Sequence, residues 1–283
     1  MSVARYVAPD SLEEILAEMQ EQEGNYAFMA GGTIVQPLLS SGSWLPHTVI
    51  GLWRSPLGAV ERVNGFVAIG ATARMRDVAL QGLPGGLSDA ARQLGGPAVR
   101  NRATVGGNIA TGRGDLIVPL LALEAKVTLM SPEGTLDTSI EDVLDEATGE
   151  TSGLAQGELI TRVLVPVNGE RGAFVAIGRK TYNTPCVATA GVVANFDPDN
   201  RNVVKGVRVA IHGPRPWPVR ARPVEQVLVG RELSAAVLAE AEAALGDVGD
   251  GFSDSVANAA YRSGMSMVVL RRALEKIAGG GQQ

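Results

Sequence analysis

RATVGGNIATGRGD, residues 102–115, carries too little side chain to be there for packing. Gly106 and Gly107 are adjacent, Gly112 and Gly114 follow, and Thr104, Asn108 and Thr111 stand among them. Glycine lets backbone N–H groups approach a ligand closely and takes up turns that a side chain would forbid. Successive N–H groups in such a turn make a concavity suited to an anion, and a helix start adds partial positive charge. A second stretch, MAGGTIV at 29–35, has the same form. Two such turns can grip a pyrophosphate from both sides, with Thr33, Thr104, Asn108 and Thr111 adding hydroxyl and amide hydrogen bonds. Two tight turns without any ligand account for the glycines at least as well at this point.

The common phosphate motifs do not apply. Gly106-Gly107 is not G-x-G-x-x-G, which removes the Rossmann reading. GNIATGRG from Gly107 has Walker A spacing but lacks the Lys and the Ser/Thr that would follow.

Outward from these turns, helix and strand signals alternate. Ser11 and Glu14 have capping-box spacing, and Leu12, Ile15, Leu16 and Met19 share a helical face. YAFMA at 26–30, HTVIGLW at 47–53, FVAIGATA at 66–73 and LITRVLVPV at 159–167 read as strands. TIVQPLLSSG, RMRDVAL, LSDAARQL and DLIVPLLAL read as short helices, and AKVTLMSPEGTLDT at 125–138 as strand, turn and strand. NGERG at 168–172 marks a boundary. Beyond it come three strands, with DPDN turning the last two into a hairpin. A proline-rich loop follows at 213–223, then helices at 234–245 and from about Asp254 to Ile277.

Composition bounds the function. Apolar content of 45% against 19% charged reads as globular. The net charge of −5 argues against a nucleic-acid face. The longest apolar run, LIVPLLAL at 116–123, is far short of the roughly 20 residues of a membrane span. The start MSVARYVAPDSLEE shows no secretory signal, so a cytoplasmic protein is expected. Cys186 is the one cysteine, and His47 and His212 are the two histidines. An iron–sulfur cluster takes about four Cys ligands, and a structural zinc site needs a similar Cys/His set. Redox chemistry in this chain therefore requires an organic cofactor or a partner chain.

AGGT at 30–33, IGAT at 69–72, VRNRATVGGNIA at 99–110 and DLIVPLLALEAKV at 115–127 resemble the flavoprotein subunit of the molybdenum-containing hydroxylases, the xanthine dehydrogenase and carbon monoxide dehydrogenase family. YRSGMSMVVLRRALEKI at 261–277 resembles the closing helix of that family. Each motif alone is weak, but the ordered set runs from about Phe28 to Leu274. The resemblance implies an α+β chain. A two-part FAD-binding fold of the PCMH/vanillyl-alcohol-oxidase type would occupy 1–168, in subdomains 1–55 and 56–168. A C-terminal α+β domain of antiparallel strands and helices, 169–283, would cover the flavin.

It also implies one FAD. Phe28, Met29, Ala30, Gly31, Gly32, Thr33, Ile34 and Val35 would form the first pyrophosphate loop. Thr104, Val105, Gly106, Gly107 and Asn108, with Thr111 beside them, would form the second. Asp115 would help hold the cofactor, Leu94 and Ile160 would lie near the flavin, and Arg179-Lys180 would be a basic pair beside it. No side chain is implied as a catalytic acid or base. The implied partners are a large molybdopterin subunit and a small subunit with two [2Fe–2S] clusters, in a dimer of heterotrimers. This chain's FAD would pass their electrons to an external acceptor. A stand-alone flavin reductase and a flavin-free scaffold are the alternatives.

Three departures stand out. The loop from Asn108 to Asp115 is shorter than in xanthine dehydrogenases. Val175 and Ala176 occupy the region where a lysine often precedes the basic pair. TYNTPCVATAG, after Lys180, lacks the usual acidic residue, which leaves Tyr182 either beside the flavin or as a half-buried strand residue. Among other residues, Cys186 reads as a buried strand cysteine, His212 as a turn or interface histidine and His47 as exposed. Glu225, Glu232, Glu240 and Glu242 read as a solvated helix face. Trp217 is the best interface anchor.

Overall fold

The computed structural model describes residues 3–22, 25–144, 157–178, 185–200 and 202–279. Strand β1 (Arg5–Val7) leads through α1 (Leu12–Glu21), β2 (Tyr26–Met29) and α2 (Val35–Ser41) to β3 (Thr48–Gly51). The three strands pair in parallel in the order β1-β3-β2. Ser11 Oγ accepts from the Glu14 N–H at 3.1 Å, and Glu14 reaches back to the Asp10 N–H, one residue earlier than the capping box expects. Ile15 and Met19 then bury against Ile50 and Leu52. Gly42 ends α2 with φ 71°, the left-handed stop that glycine allows.

The next unit runs through β4 (Val60–Val63), β5 (Phe66–Gly70), α3 (Met75–Leu80), α4 (Leu87–Gln93), α5 (Pro97–Arg100), α6 (Val105–Ile109) and α7 (Ile117–Ala122). It continues into β6 (Lys126–Ser131), β7 (Gly134–Ser139) and β8 (Leu159–Pro166). Its strands form an antiparallel sheet, β4-β5-β8-β6-β7, whose core is shared with these helices. All six residues of α7 are buried. A helix apolar on every side must be covered on every side.

The last unit supplies that cover. Strands β9 (Arg171–Gly178), β10 (Cys186–Phe196), β11 (Val204–His212) and β12 (Val219–Arg220) form an antiparallel sheet, β12-β11-β10-β9. Helices α8 (Arg222–Leu228), α9 (Ala235–Ala243) and α10 (Ala259–Ala278) complete it. Gly191 of β10 lies against α7, where a Cβ would stand 3.2 Å from the Pro119 Cα. Arg208 of β11 donates to the Ala122 carbonyl at 2.8 Å, satisfying the carboxyl end of α7, and pairs with Glu170.

The fold is mixed α and β, and the expected strands and helices are present with four corrections. The proline-rich loop at 213–223 contains β12 and the start of α8. The closing helix begins at Ala259, because Asn258 rather than Asp254 caps it. Glu225 is not solvated: it accepts from the Val209 N–H and pairs with Arg220, each at 2.8 Å. Trp217 packs against the C-terminal core, whereas Trp53 is 64% exposed.

Asp254 is instead spent on Arg262, a residue of α10 that is only 1% exposed. Arg262 donates to both Asp254 oxygens at 2.7 Å and to the Val187 carbonyl at 2.7 Å, and its Cζ stands 4.0 Å over the Phe252 ring. Removing one partner of a buried pair strands the other. Asp254 is 39% exposed, which screens part of that loss. Arg262→Met should therefore lower stability by about 2–3 kcal/mol, read as a shift in the urea midpoint at unchanged slope.

Candidate cofactor site

The two glycine turns meet. Arg102 Nε donates to the Gly31 carbonyl at 3.1 Å across a sequence separation of 71 residues. In each pair the first glycine is required by chain packing. A Cβ on Gly31 would overlap the Arg102 carbonyl, and one on Gly106 would stand 2.7 Å from the Ala71 Cβ. The second glycine of each pair faces more open space. A Cβ on Gly32 would meet nothing closer than 3.6 Å, although its φ of +71° itself favours glycine. A Cβ on Gly107 would meet only the Thr104 Oγ1, at 3.0 Å. Thr104 caps α6, with its hydroxyl accepting from the Gly107 N–H at 3.3 Å.

A cleft of about 670 Å³ flanks the junction of the turns. Met29, Ala30, Gly31 and Thr104 of the predicted site line it, together with Tyr6, Trp53, Arg74 and Arg102. Trp53 Nε1 donates to the Tyr6 hydroxyl at 2.9 Å, which fixes this aromatic pair. Arg74, Arg102 and the aromatic pair were absent from the sequence reading. The repeated arginines of RMR and RNR beside a glycine turn were the available signal.

Other predicted residues have different positions. Asn108 Oδ1 accepts from the Leu116 N–H at 3.1 Å, and the Thr111 hydroxyl donates to the Asn108 carbonyl at 2.7 Å. Both side chains thus brace the short 108–116 loop. Gly114 is tight for the same reason, since a Cβ there would overlap the Asn108 side chain. Leu94 at 9% and Ile160 at 4% exposure belong to the hydrophobic core. Phe28 packs with Tyr26, ring centroids 5.2 Å apart. Thr33 and Ile34 lead into Val35, the first residue of α2, and Val105 is buried. Arg179, Lys180 and Tyr182 lie outside the described residues.

Asp115 turns toward the C-terminal unit, where the Cys186 thiol donates to its Oδ2 at 3.5 Å. Burial raises the Asp115 carboxyl above the usual range, and the thiol hydrogen bond opposes this. Burial, followed by the charge of Asp115, pushes the Cys186 thiol up. Nearby, His212 packs 5.9 Å from Phe252. Burial and then the Arg262 charge pull its imidazole down to about 4. Among the described residues, no group of three His, Cys, Asp or Glu side chains is placed to hold a metal ion. None of their helices is long and apolar enough to cross a membrane.

Residues 2–168 match the family described as the FAD binding domain in molybdopterin dehydrogenase, and residues 173–277 match the CO dehydrogenase flavoprotein C-terminal domain. The chain is 28% identical to 6-hydroxypseudooxynicotine dehydrogenase complex subunit alpha of Paenarthrobacter nicotinovorans, over 96% of this chain and 93% of that one. It is 29% identical to the carbon monoxide dehydrogenase medium chain of Hydrogenophaga pseudoflava, over 95% of each. A solved carbon monoxide dehydrogenase from Hydrogenophaga pseudoflava, in a form lacking the Mo-pyranopterin moiety of the molybdenum cofactor, superposes with a TM-score of 0.88. The identity there is 26%, with 96% of each chain covered.

His212 generates a pH prediction. Its ordinary value is 6.5 and its folded value about 4. Between these values the unfolded chain binds a proton that the folded chain refuses. His212 thus favours folding fully above pH 6.5 and loses that contribution as the pH falls toward 4. Thermal midpoints of His212→Gln and wild type should converge over that window. A gap that stays constant from pH 7 to pH 4 would show that His212 does not titrate as described.

Proposed function

This chain belongs to the family of FAD-binding domains in molybdopterin dehydrogenases, an oxidoreductase family, and on that premise we propose that it is the FAD-carrying electron-transfer subunit of a heterotrimeric molybdenum hydroxylase. Electrons would arrive from [2Fe–2S] clusters in a small partner subunit, after substrate oxidation at a molybdopterin site in a large one. They would leave to an external acceptor. The single observation that carries this reading is the meeting of the two glycine turns, with the second glycine of each left open. The scarcity of cysteine and histidine supports the division of labour, since the other redox centres need ligands this chain does not have.

The residues fit a pyrophosphate. Gly31 and Gly106 bring backbone against backbone, Gly32 leaves room for an anion to approach the N–H groups of the first turn, and Gly107 lets it approach the start of α6, whose own N–H groups are bonded within the chain. We place the FAD-binding unit at 1–168, divided near residue 55, and the C-terminal unit at 169–283. Asp115, bonded to Cys186 of β10, would hold the second turn against that C-terminal unit. FAD, when bound, supplies a carrier that exchanges electrons singly or in pairs. The protein's part is positioning and local electrostatics.

The full chain purified with its partners should show flavin absorbance together with iron and molybdenum. Flavin on the chain alone, with turnover of an organic substrate by a nicotinamide donor, would point to a stand-alone reductase. Partners without flavin would point to a scaffold. Gly107→Val is the sharper probe of the site, because its φ needs no glycine and a Cβ there would meet only the Thr104 Oγ1, at 3.0 Å. The variant should fold and lose FAD. Normal flavin content in folded Gly107→Val would defeat the pyrophosphate assignment.

A further inference from the structure

From Asn25 to Trp53 the chain has no Asp, Glu, Lys or Arg. The first glycine turn, in the middle of that stretch, has no cation of its own. Its guanidinium comes from the segment leading into the other turn, where Arg102 Nε donates to the Gly31 carbonyl. Arg102 Nη2 would stand 3.8 Å from a Cβ on Gly32, and the Arg102 backbone carbonyl abuts Gly31. Among the described residues Arg102 makes no ion pair, so its charge is not spent on a carboxylate.

A trans peptide is planar, so its C=O and the following N–H point in opposite directions. Holding the Gly31 carbonyl therefore fixes the direction of the Gly32 N–H. Two consecutive glycines otherwise leave that peptide free to flip, because neither has a Cβ to resist it. A flipped peptide would turn the carbonyl dipole toward an anion that the N–H should meet. We propose that Arg102 is a positioning residue for the cofactor pyrophosphate: it pins the Gly31–Gly32 peptide in the anion-binding orientation and supplies the first turn with its positive charge. This rests on the assignment of the two glycine turns to the pyrophosphate.

Three ligands separate the possibilities. FAD carries the pyrophosphate and the flavin, ADP carries the pyrophosphate alone, and riboflavin carries the flavin alone. Affinities are measured on the full chain by flavin fluorescence and by ADP competition, for wild type, Arg102→Met and Arg102→Lys. Arg102 is exposed, so neither variant disturbs the core. Arg102→Met should weaken FAD and ADP about ten-fold or more, the scale of a charge-assisted hydrogen bond, and leave riboflavin unchanged. It should also flatten the salt dependence of FAD binding, and Arg102→Lys should recover part of the loss. Wild-type affinity for FAD and ADP in Arg102→Met would overturn the inference while leaving the pyrophosphate assignment intact. Equal losses for all three ligands would overturn it as well. A wild-type chain that binds riboflavin as tightly as FAD, and does not bind ADP, would overturn the pyrophosphate assignment itself and the inference with it.

Discussion

The arrangement around the glycine turns depends on the burial of α7. Its six residues have no polar face, so two layers must close over them, the helices of the middle unit and the strands of the last. Both ends are then tied by single hydrogen bonds. Asn108 holds the Leu116 N–H just ahead of the helix, and Arg208 holds the Ala122 carbonyl at its end. The second glycine turn and the C-terminal sheet are thereby positioned by one short apolar segment. That segment also forces Gly191 on β10, where any side chain would press on Pro119 and Val118.

The elements with a regular apolar period were legible in the sequence. The longer strands of the three sheets, the DPDN hairpin and α7 could be read directly, whereas the short strands β1, β4 and β12 could not. Helix α8 was hidden because Arg222-Pro223 looks like a continuing loop, although proline is well tolerated in a first helical turn. The start of α10 was misplaced for a different reason. Asp254 looks like a helix cap, but its carboxylate is committed to Arg262 eight residues on, and Asn258 caps the helix. Local pattern cannot reveal a partner brought in by tertiary structure.

The same limit applies within the site. The glycine pairs were visible, but their internal division of labour was not, because it depends on which backbone arrives. Arg102 approaches Gly31, and Ala71 approaches Gly106. Asn108 and Thr111 looked available for a ligand until the loop they brace was seen. The uncharged run from Asn25 to Trp53 gave no hint of a cation, since the cation comes from elsewhere in the chain. With no carboxylate on that run, nothing within it competes for the guanidinium.

The sheet order carries a consequence for biosynthesis. Strand β8 (159–166) lies between β5 (66–70) and β6 (126–131), so the middle sheet cannot close until its last strand has left the ribosome. Helix α7 waits longer, because β10 and β11, which seal its outer side, end at residue 212. In that interval a nascent chain holds an all-apolar helix uncovered, the kind of surface that chaperones recognise and that aggregates when crowded. The feature that locks the finished subunit together is thus the one that makes its synthesis vulnerable.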